Sequence, residues 1–216
     1  MSLITLKNVK KEYGKNQVLF ENLSLEIEKG EFVGLVGKSG AGKTTLLNII
    51  GLITDISEGT ITIDSHKNLS MNGKNAMILR RYTIGYLFQN YGLIEDESVL
   101  WNLKLALEYK KIKKEEKLKL INKYLKQFEL SDMLNKKVYQ LSGGEQQRIA
   151  ITKLILQGSQ IILADEPTSG LDKENELIVM KLLKELNEKG ITIIMVTHNM
   201  NLCDCFSRVI NVENFR

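Results

Sequence analysis

The chain has 216 residues with 30 basic and 26 acidic side chains, so its formal net charge is only +4. That length is enough to bury a hydrophobic core in one domain without disulfides. The weak positive charge gives no reason to expect nucleic acid as a partner. Apolar runs such as residues 49–53 fall far below the ~20 residues that a membrane helix needs.

The two cysteines, Cys203 and Cys205, are separated by one residue. We expect free thiols in a reducing compartment, because a zinc site would need more ligands and the chain has only two histidines. The N-terminal residues 1–14 lack the apolar stretch of a secretory signal. These features predict a soluble cytoplasmic protein that would reach a membrane only through a partner.

The first part of the chain predicts strands. Residues 2–9 and 17–28 alternate apolar and polar side chains on either side of the turn-like KEYGKN at 11–16, which indicates an antiparallel pair. The elements predicted next are a buried strand at 31–37, a helix at 44–52 and strands at 60–64 and 83–88.

Helical periodicity dominates from about Asn90 to Val138. Apolar residues recur three and four positions apart at 98–109 and 115–130, and we expect Trp101 and the apolar residues of 103–107 to form a core there. The remaining predicted elements are a helix from Gly144 to about Gln157, a strand at 160–166, a helix at 172–190 and a strand at 191–198. This alternation predicts an α/β fold with a mostly parallel sheet, whose ligands bind at the carboxyl ends of strands.

Residues 37–44 read GKSGAGKT, the G-x-x-x-x-G-K-[ST] pattern of a phosphate-binding loop. We expect Lys43 to bind the β- and γ-phosphates of a nucleotide and Thr44 to bind Mg²⁺, while Lys38 adds a basic group at the rim without a firm role. The alternative is a glycine turn with a purely structural purpose. The predicted nucleotide-binding residues of the loop are Gly37, Lys38, Ser39, Gly40, Ala41, Gly42, Lys43, Thr44 and Thr45.

Polar side chains also stand at the ends of three predicted strands. Asp165 and Glu166 close a buried apolar strand, where one carboxylate could hold Mg²⁺ through water and the other could orient or deprotonate an attacking water. The alternative for this pair is a solvated surface loop. His198 ends the next strand, and we interpret it as a sensor of the γ-phosphate, although a lone histidine there is more often structural. Gln89 could complete the shell around Mg²⁺ and the water.

A second glycine turn, LSGGEQQR at 141–148, also opens a helix. Ser142 is a good N-cap, and Gly143 and Gly144 permit close backbone approach. One interpretation is a helix cap and nothing more. The other is a second phosphate cradle, and because the loop at 37–44 already serves one nucleotide, the second cradle would serve the nucleotide of another copy.

These motifs, in this order and at this spacing, resemble the ATP-binding-cassette (ABC) ATPases, and the resemblance covers essentially the whole chain. Gly37–Thr45 resembles their Walker A motif, Ile161–Glu166 their Walker B motif, Leu141–Glu145 their signature and Ser169–Asp172 their D-loop. Gln89 matches the Q-loop, His198 the switch histidine and Tyr13 the aromatic position that stacks on adenine.

The resemblance implies one ABC ATPase domain over residues 1–216. It would have a P-loop NTPase (RecA-like) core with an antiparallel β subdomain at 1–89 and 139–216, and an inserted helical subdomain at 90–138. The implied ligands are ATP and Mg²⁺. Thr44, Gln89 and Asp165 would lie at the metal, and Glu166 would act as the catalytic base, with His198 at the γ-phosphate.

The resemblance also implies that two copies meet head to tail around two ATP molecules. Ser142, Gly143 and Gly144 would then reach the partner's ATP, and Asp172 would couple the two sites. Each copy alone would be an incomplete enzyme.

Within the family, residues 84–103 and the ADEPTSGLD segment resemble the lipoprotein-release and macrolide-export type, which includes exporters of bacteriocins and antimicrobial peptides. This type implies a separate membrane permease that docks near Asn90–Glu97 and holds the protein at the inner face of the cell membrane. Val138, where the family often has proline, and Glu145, where glutamine is common, depart from the pattern. A cell-division-type ATPase that signals without transport is an open alternative, and a P-loop small-molecule kinase is a more distant one.

Overall fold

A computed structural model describes residues 2–14 and 17–215. Residues 15 and 16 of the predicted turn at 11–16 lie outside this description, as do both terminal residues of the predicted domain. The strands are β1 Ser2–Tyr13, β2 Gln17–Glu28, β3 Phe32–Val36, β4 Glu58–Ile63, β5 Ile84–Leu87, β6 Ile161–Asp165, β7 Thr192–Val196 and β8 Arg208–Asn211. The α-helices are α1 Lys43–Ile50, α2 Lys74–Tyr82, α3 Val99–Ala106, α4 Lys114–Gln127, α5 Gly143–Gln157 and α6 Lys173–Glu188.

The larger sheet is parallel and has the strand order β5-β6-β7-β3-β8. All five residues of β3 and of β7 are buried, as expected for central strands that are covered on both faces by helices. This confirms the α/β fold that the alternation of strands and helices predicts.

The smaller sheet is antiparallel and has the order β2-β1-β4. In β2, Leu23, Leu25 and Ile27 are buried while the residues between them are exposed. This is the alternation of apolar and polar residues that predicted a strand here, with one face towards the core and one towards solvent. The first strand is longer than predicted, because β1 continues to Tyr13 and pairs Tyr13 with Gln17.

Two elements are absent from the sequence-based prediction. Helix α2 buries only Ala76 and Leu79, and the exposed Met77 and Ile78 between them blur its apolar stripe. Strand β8 has four residues of which only Ile210 is buried, and a short 3-10 helix rather than an α-helix precedes it. Both elements are held by tertiary packing instead of a strong local pattern.

A hydrophobic cluster joins α3, α4 and α5. Leu103 and Leu107 are fully buried in it, together with Ile121 of α4 and Ile149 of α5. The expectation that Trp101 belongs to this core is wrong, since Trp101 is 37% exposed. Within 103–107 the expectation fails at one position, because Leu105 is 40% exposed. No helix within the described residues is long and apolar enough to cross a membrane.

Replacing Leu103 by alanine tests the packing of this cluster. The change should lower the free energy of unfolding by about 2–5 kcal/mol, because it removes buried methyl groups and leaves a cavity. Leu105→Ala on the same helix is the matched control, and its half-exposed side chain should cost under about 1 kcal/mol. Urea unfolding of both variants measures the difference, and equal costs would contradict the packing described.

Candidate nucleotide site

The loop between β3 and α1 is a turn built on glycines. Gly37, Gly40 and Gly42 have φ angles of 142°, 73° and 96°, which residues with a Cβ rarely adopt. Gly42 is the N-cap of α1, and no side chain caps this helix. The positive end of α1 therefore faces the loop without a side-chain acceptor, which is the arrangement that binds phosphate.

Lys43 is the first residue of α1 and is only 5% exposed. Its Nζ donates hydrogen bonds to the carbonyl oxygens of Gly37 at 2.7 Å and Lys38 at 2.9 Å. Burial lowers the pKa of Lys43, while Glu166 and Asp165 act in the opposite direction. In the described part of the chain no carboxylate forms an ion pair with it. A buried cation held only by carbonyls fits the anionic phosphates of a nucleotide.

Two oxygen groups meet beside this lysine. The Thr44 hydroxyl donates to Oδ1 of Asp165 at 3.1 Å, which ties α1 to the end of β6. Burial raises the pKa of Asp165, and the hydrogen bond from Thr44 partly opposes that rise. A hydroxyl and a carboxylate are the oxygen ligands that suit Mg²⁺ with several waters, so the residues fit this ion. Gln89 follows β5, but it is exposed and does not line the cleft described below.

Glu166 and His198 are brought together by the neighbouring strands β6 and β7. Nε2 of His198 lies 2.8 Å from Oε1 of Glu166. Glu166 has a φ of 47°, a left-handed conformation that costs a non-glycine residue about 1–2 kcal/mol. The turn after β6 thus points the glutamate at the histidine at some conformational cost, which is common at functional sites.

A cleft of about 320 Å³ is lined by Tyr13 and by six of the nine loop residues predicted to bind nucleotide, while Gly37, Ala41 and Asp165 are not among its lining residues. Tyr13 stands at its edge, 46% exposed, with its hydroxyl 3.4 Å from Oγ1 of Thr45. Lys38 lies outside the cleft lining, and its backbone N–H donates to Glu213 at 2.7 Å. The lining residues are Tyr13, Gln17, Leu19, Ser39, Gly40, Gly42, Lys43, Thr44, Thr45, Glu166 and His198.

Sequence reasoning missed Gln17 and Leu19 at this cleft. Both lie at the start of β2, and Gln17 is the cross-strand partner of Tyr13. The hairpin pairing that follows from the alternating pattern could have found Gln17, because the residue paired with Tyr13 across the hairpin shares its edge of the sheet.

The second glycine turn lies apart from this cleft, since none of its residues line it. Ser142 caps α5, which begins at Gly143, one residue earlier than predicted. The Ser142 hydroxyl accepts from the Glu145 N–H at 3.3 Å, and Glu145 accepts from the Ser142 N–H at 2.7 Å. This reciprocal capping box gives Glu145, which departs from the family pattern, a structural role.

Asp172 also lies outside the cleft lining and caps α6. Its Oδ1 accepts from the backbone N–H of Asn175 at 2.8 Å. The backbone and side-chain hydrogen bonds from Asn175 lower the pKa of this exposed carboxyl. Cys203 and Cys205 are free thiols on the 3-10 helix Met200–Cys205.

Comparison with known proteins identifies relatives over nearly the whole chain. A family model described as ABC transporter matches residues 20–169. The macrolide export ATP-binding/permease protein MacB of Campylobacter jejuni is 41% identical over 212 residues, which are 98% of this chain and 33% of the relative. The chain thus spans about a third of the length of the MacB relatives. The ABC transporter ATP-binding protein MJ1508 of Methanocaldococcus jannaschii is 41% identical over 215 residues, covering 98% of this chain and 96% of the relative.

Solved structures with the same fold include the ATP-binding cassette MJ0796. Its dimeric post-hydrolysis state bound to ADP and Pi has a TM-score of 0.87 and 39% identity, covering 96% of this chain and 93% of that one. A family match over more than half of the chain, full-length relatives and a shared fold agree with one another. The chain therefore belongs to the ABC transporter family, as one of its ATP-binding ATPase domains.

Proposed function

We propose that this chain is the ATP-hydrolysing subunit of a membrane exporter. It binds ATP with Mg²⁺, closes head to tail on a second copy, and passes the motion of closing and reopening to a separate permease. The proposed unit is a single domain over 1–216, in which residues 90–138 form a helical subdomain. The observation that carries the proposal is the separation of two glycine turns that each open a helix, one at the cleft and one away from its lining.

The proposed chemistry divides among residues at the strand ends. Lys43 and the loop N–H groups hold the phosphates, and Thr44 and Asp165 hold Mg²⁺, with Gln89 assigned to the same shell. Bound Mg²⁺ would neutralise charge on the phosphates. Glu166 takes the proton of the attacking water, a role that typically contributes about 10²–10⁴-fold in rate. His198 already contacts Glu166. It is near enough to orient the Glu166 carboxylate before the His198 side chain itself contacts a γ-phosphate.

The association of two copies is supported by the state in which MJ0796 was solved. Its structures are dimeric, in one case with ADP and Pi bound. In this chain Ser142, Gly143 and Gly144 do not line their own cleft. A second copy that presents them to the nucleotide would complete the site, and Asp172 would then couple the two halves.

The proposed permease docks at Asn90–Glu97. This segment combines the exposed Ile94, 47% accessible, with three consecutive acids at 95–97. An apolar side chain beside charges suits a contact with a basic, amphipathic helix of a partner. The MacB relatives are ATP-binding/permease proteins of which this chain covers a third, so the permease would be a separate chain or a further segment. The protein would then sit at the cytoplasmic face of the membrane.

The proposed cargo is a peptide, a lipopeptide or an antimicrobial compound, by likeness to the export type. The alternative is a cell-division-type ATPase that signals through its membrane partner without transport. Identifying the membrane protein that copurifies with this chain, and testing its ATP-dependent transport in vesicles, separates the two.

Replacing Lys43 by methionine tests the phosphate assignment. ATP affinity should fall about 10- to 100-fold, the loss expected when a charged hydrogen-bond donor is removed. Lys38→Met is the matched control, since Lys38 is exposed, and it should change affinity by less than about threefold. Titration with a fluorescent ATP analogue measures both, and equal losses would overturn the division of roles between these lysines.

Replacing Glu166 by glutamine tests the catalytic base. Hydrolysis should fall about 10²–10⁴-fold while ATP still binds, so the ATP-bound dimer should accumulate. Phosphate release and size-exclusion chromatography with ATP measure the two effects, with Glu188→Gln on exposed α6 surface as control. A Glu166→Gln variant that hydrolyses ATP at the normal rate would sink the assignment.

Replacing Ser142 by arginine tests the action of the second turn on another copy. The larger charged side chain should block closure and ATPase activity, while the monomer keeps its ATP affinity because Ser142 does not line the cleft. Ser131→Arg adds the same charge at an exposed serine elsewhere and should leave activity unchanged. Unaltered hydrolysis by the Ser142 variant would refute the role in trans.

A further inference from the structure

Asn175 connects the two segments that are proposed to face the second copy. It lies in the first turn of α6, and its Nδ2 donates to both carboxylate oxygens of Asp172, at 3.1 and 3.0 Å. Its Oδ1 accepts from Nη1 of Arg148 at 3.0 Å. Arg148 belongs to α5, the helix that the turn Ser142–Gly144 opens. One side chain thus bonds to the cap of α6 and to the signature helix at once.

The same side chain also packs directly on the signature turn. A Cβ added to Gly144 would lie 2.1 Å from Oδ1 and 2.4 Å from Cγ of Asn175. Such distances are far inside van der Waals contact, so any larger residue at 144 must push the amide away. The packing of Asn175 therefore favours glycine at position 144 within the chain itself, in addition to any close approach of a phosphate.

The polarity of the amide matches both neighbours. Its oxygen faces the Arg148 guanidinium and its nitrogen faces the Asp172 carboxylate. Turning the amide over would place a donor against the guanidinium and an acceptor against the carboxylate, and both contacts are unfavourable. Asn175 also helps to keep Asp172 ionised, because its backbone and side-chain hydrogen bonds lower the pKa of that carboxyl. A side chain whose amide is hydrogen-bonded through both its oxygen and its nitrogen holds its two neighbours in a fixed relative position.

We propose that Asn175 is a positioning residue that fixes the turn Ser142–Gly144 relative to Asp172. The two parts that a copy offers to its partner then move as one unit. This role rests on the proposed head-to-tail dimer, whereas the packing of Asn175 on Gly144 is testable in the monomer alone.

The first experiment is a thermal-stability cycle on nucleotide-free protein. Gly144→Ala should lower Tm by about 2–4 °C for each kcal/mol of hydrogen bonding that the displaced amide loses. In an Asn175→Ala background the same substitution should no longer lower Tm, because the amide is gone and alanine suits a helix better than glycine. The backbone bond from residue 175 to Asp172 persists in both backgrounds.

Gly143→Ala is the matched control for this cycle. Its Cβ would lie 2.9 Å from the hydroxyl of Tyr91, and none of its three nearest atoms belongs to Asn175. Its effect on Tm should therefore be the same with and without the Asn175 side chain. If Gly144→Ala also lowers Tm equally in both backgrounds, Asn175 does not set the space at the turn and the proposal falls.

The second experiment measures ATP-dependent dimerisation in a Glu166→Gln background. Asn175→Ala and Asn175→Asp should each weaken dimerisation at least several-fold, the aspartate more strongly because a carboxylate oxygen would replace the donating nitrogen that faces Asp172. Binding of a fluorescent ATP analogue by the monomer should not change, since Asn175 is not among the residues that line the cleft. Normal dimerisation by both variants beside a dimerising parent refutes the positioning role alone. A parent that never dimerises refutes the proposed function, and the positioning role with it.

Discussion

The functional cleft depends on the register of three parallel strands. Val196 at the end of β7 pairs with Asp165 of β6 on one side and with Leu35 of β3 on the other. The three strands therefore end at the same level, and the residues that follow them converge on one edge. A slip of one residue in any strand would turn its end away from the others. This register brings the phosphate loop, the acidic pair and His198 into one site.

Desolvated charges of both signs lie at this edge. Burial lowers the pKa of Lys43 and raises that of Asp165, so burial disfavours the charged form of each group. Within the described residues the two groups form no ion pair with each other, since Lys43 donates to loop carbonyls and Asp165 accepts from Thr44. A ligand that combines anionic phosphates with a divalent cation offers each group an opposite charge. Opposed pKa shifts at one edge of a sheet are a pattern that functional sites often show.

The sequence predicts the chemistry-bearing turns well, because their residues determine their own local geometry. The glycines at 37, 40 and 42 adopt backbone angles that only glycine takes easily, and Ser142 caps its helix as its type suggests. Helix α2 and strand β8 are missed because long-range packing stabilises them. The exposure of Trp101 is missed because an apolar residue within a periodic helix need not face the core. Asn175 carries no motif at all, and its role follows only from its contacts.

The two glycine turns differ in a way that matches different tasks. The first has left-handed glycines and a helix start that no side chain caps, an arrangement that suits a phosphate chain. The second is already ordered, by its Ser142–Glu145 box on one side and by Asn175 on the other. An ordered surface loses little conformational entropy when it docks. A turn braced in this way is better suited to meeting a nucleotide that another copy already holds than to capturing one from solution.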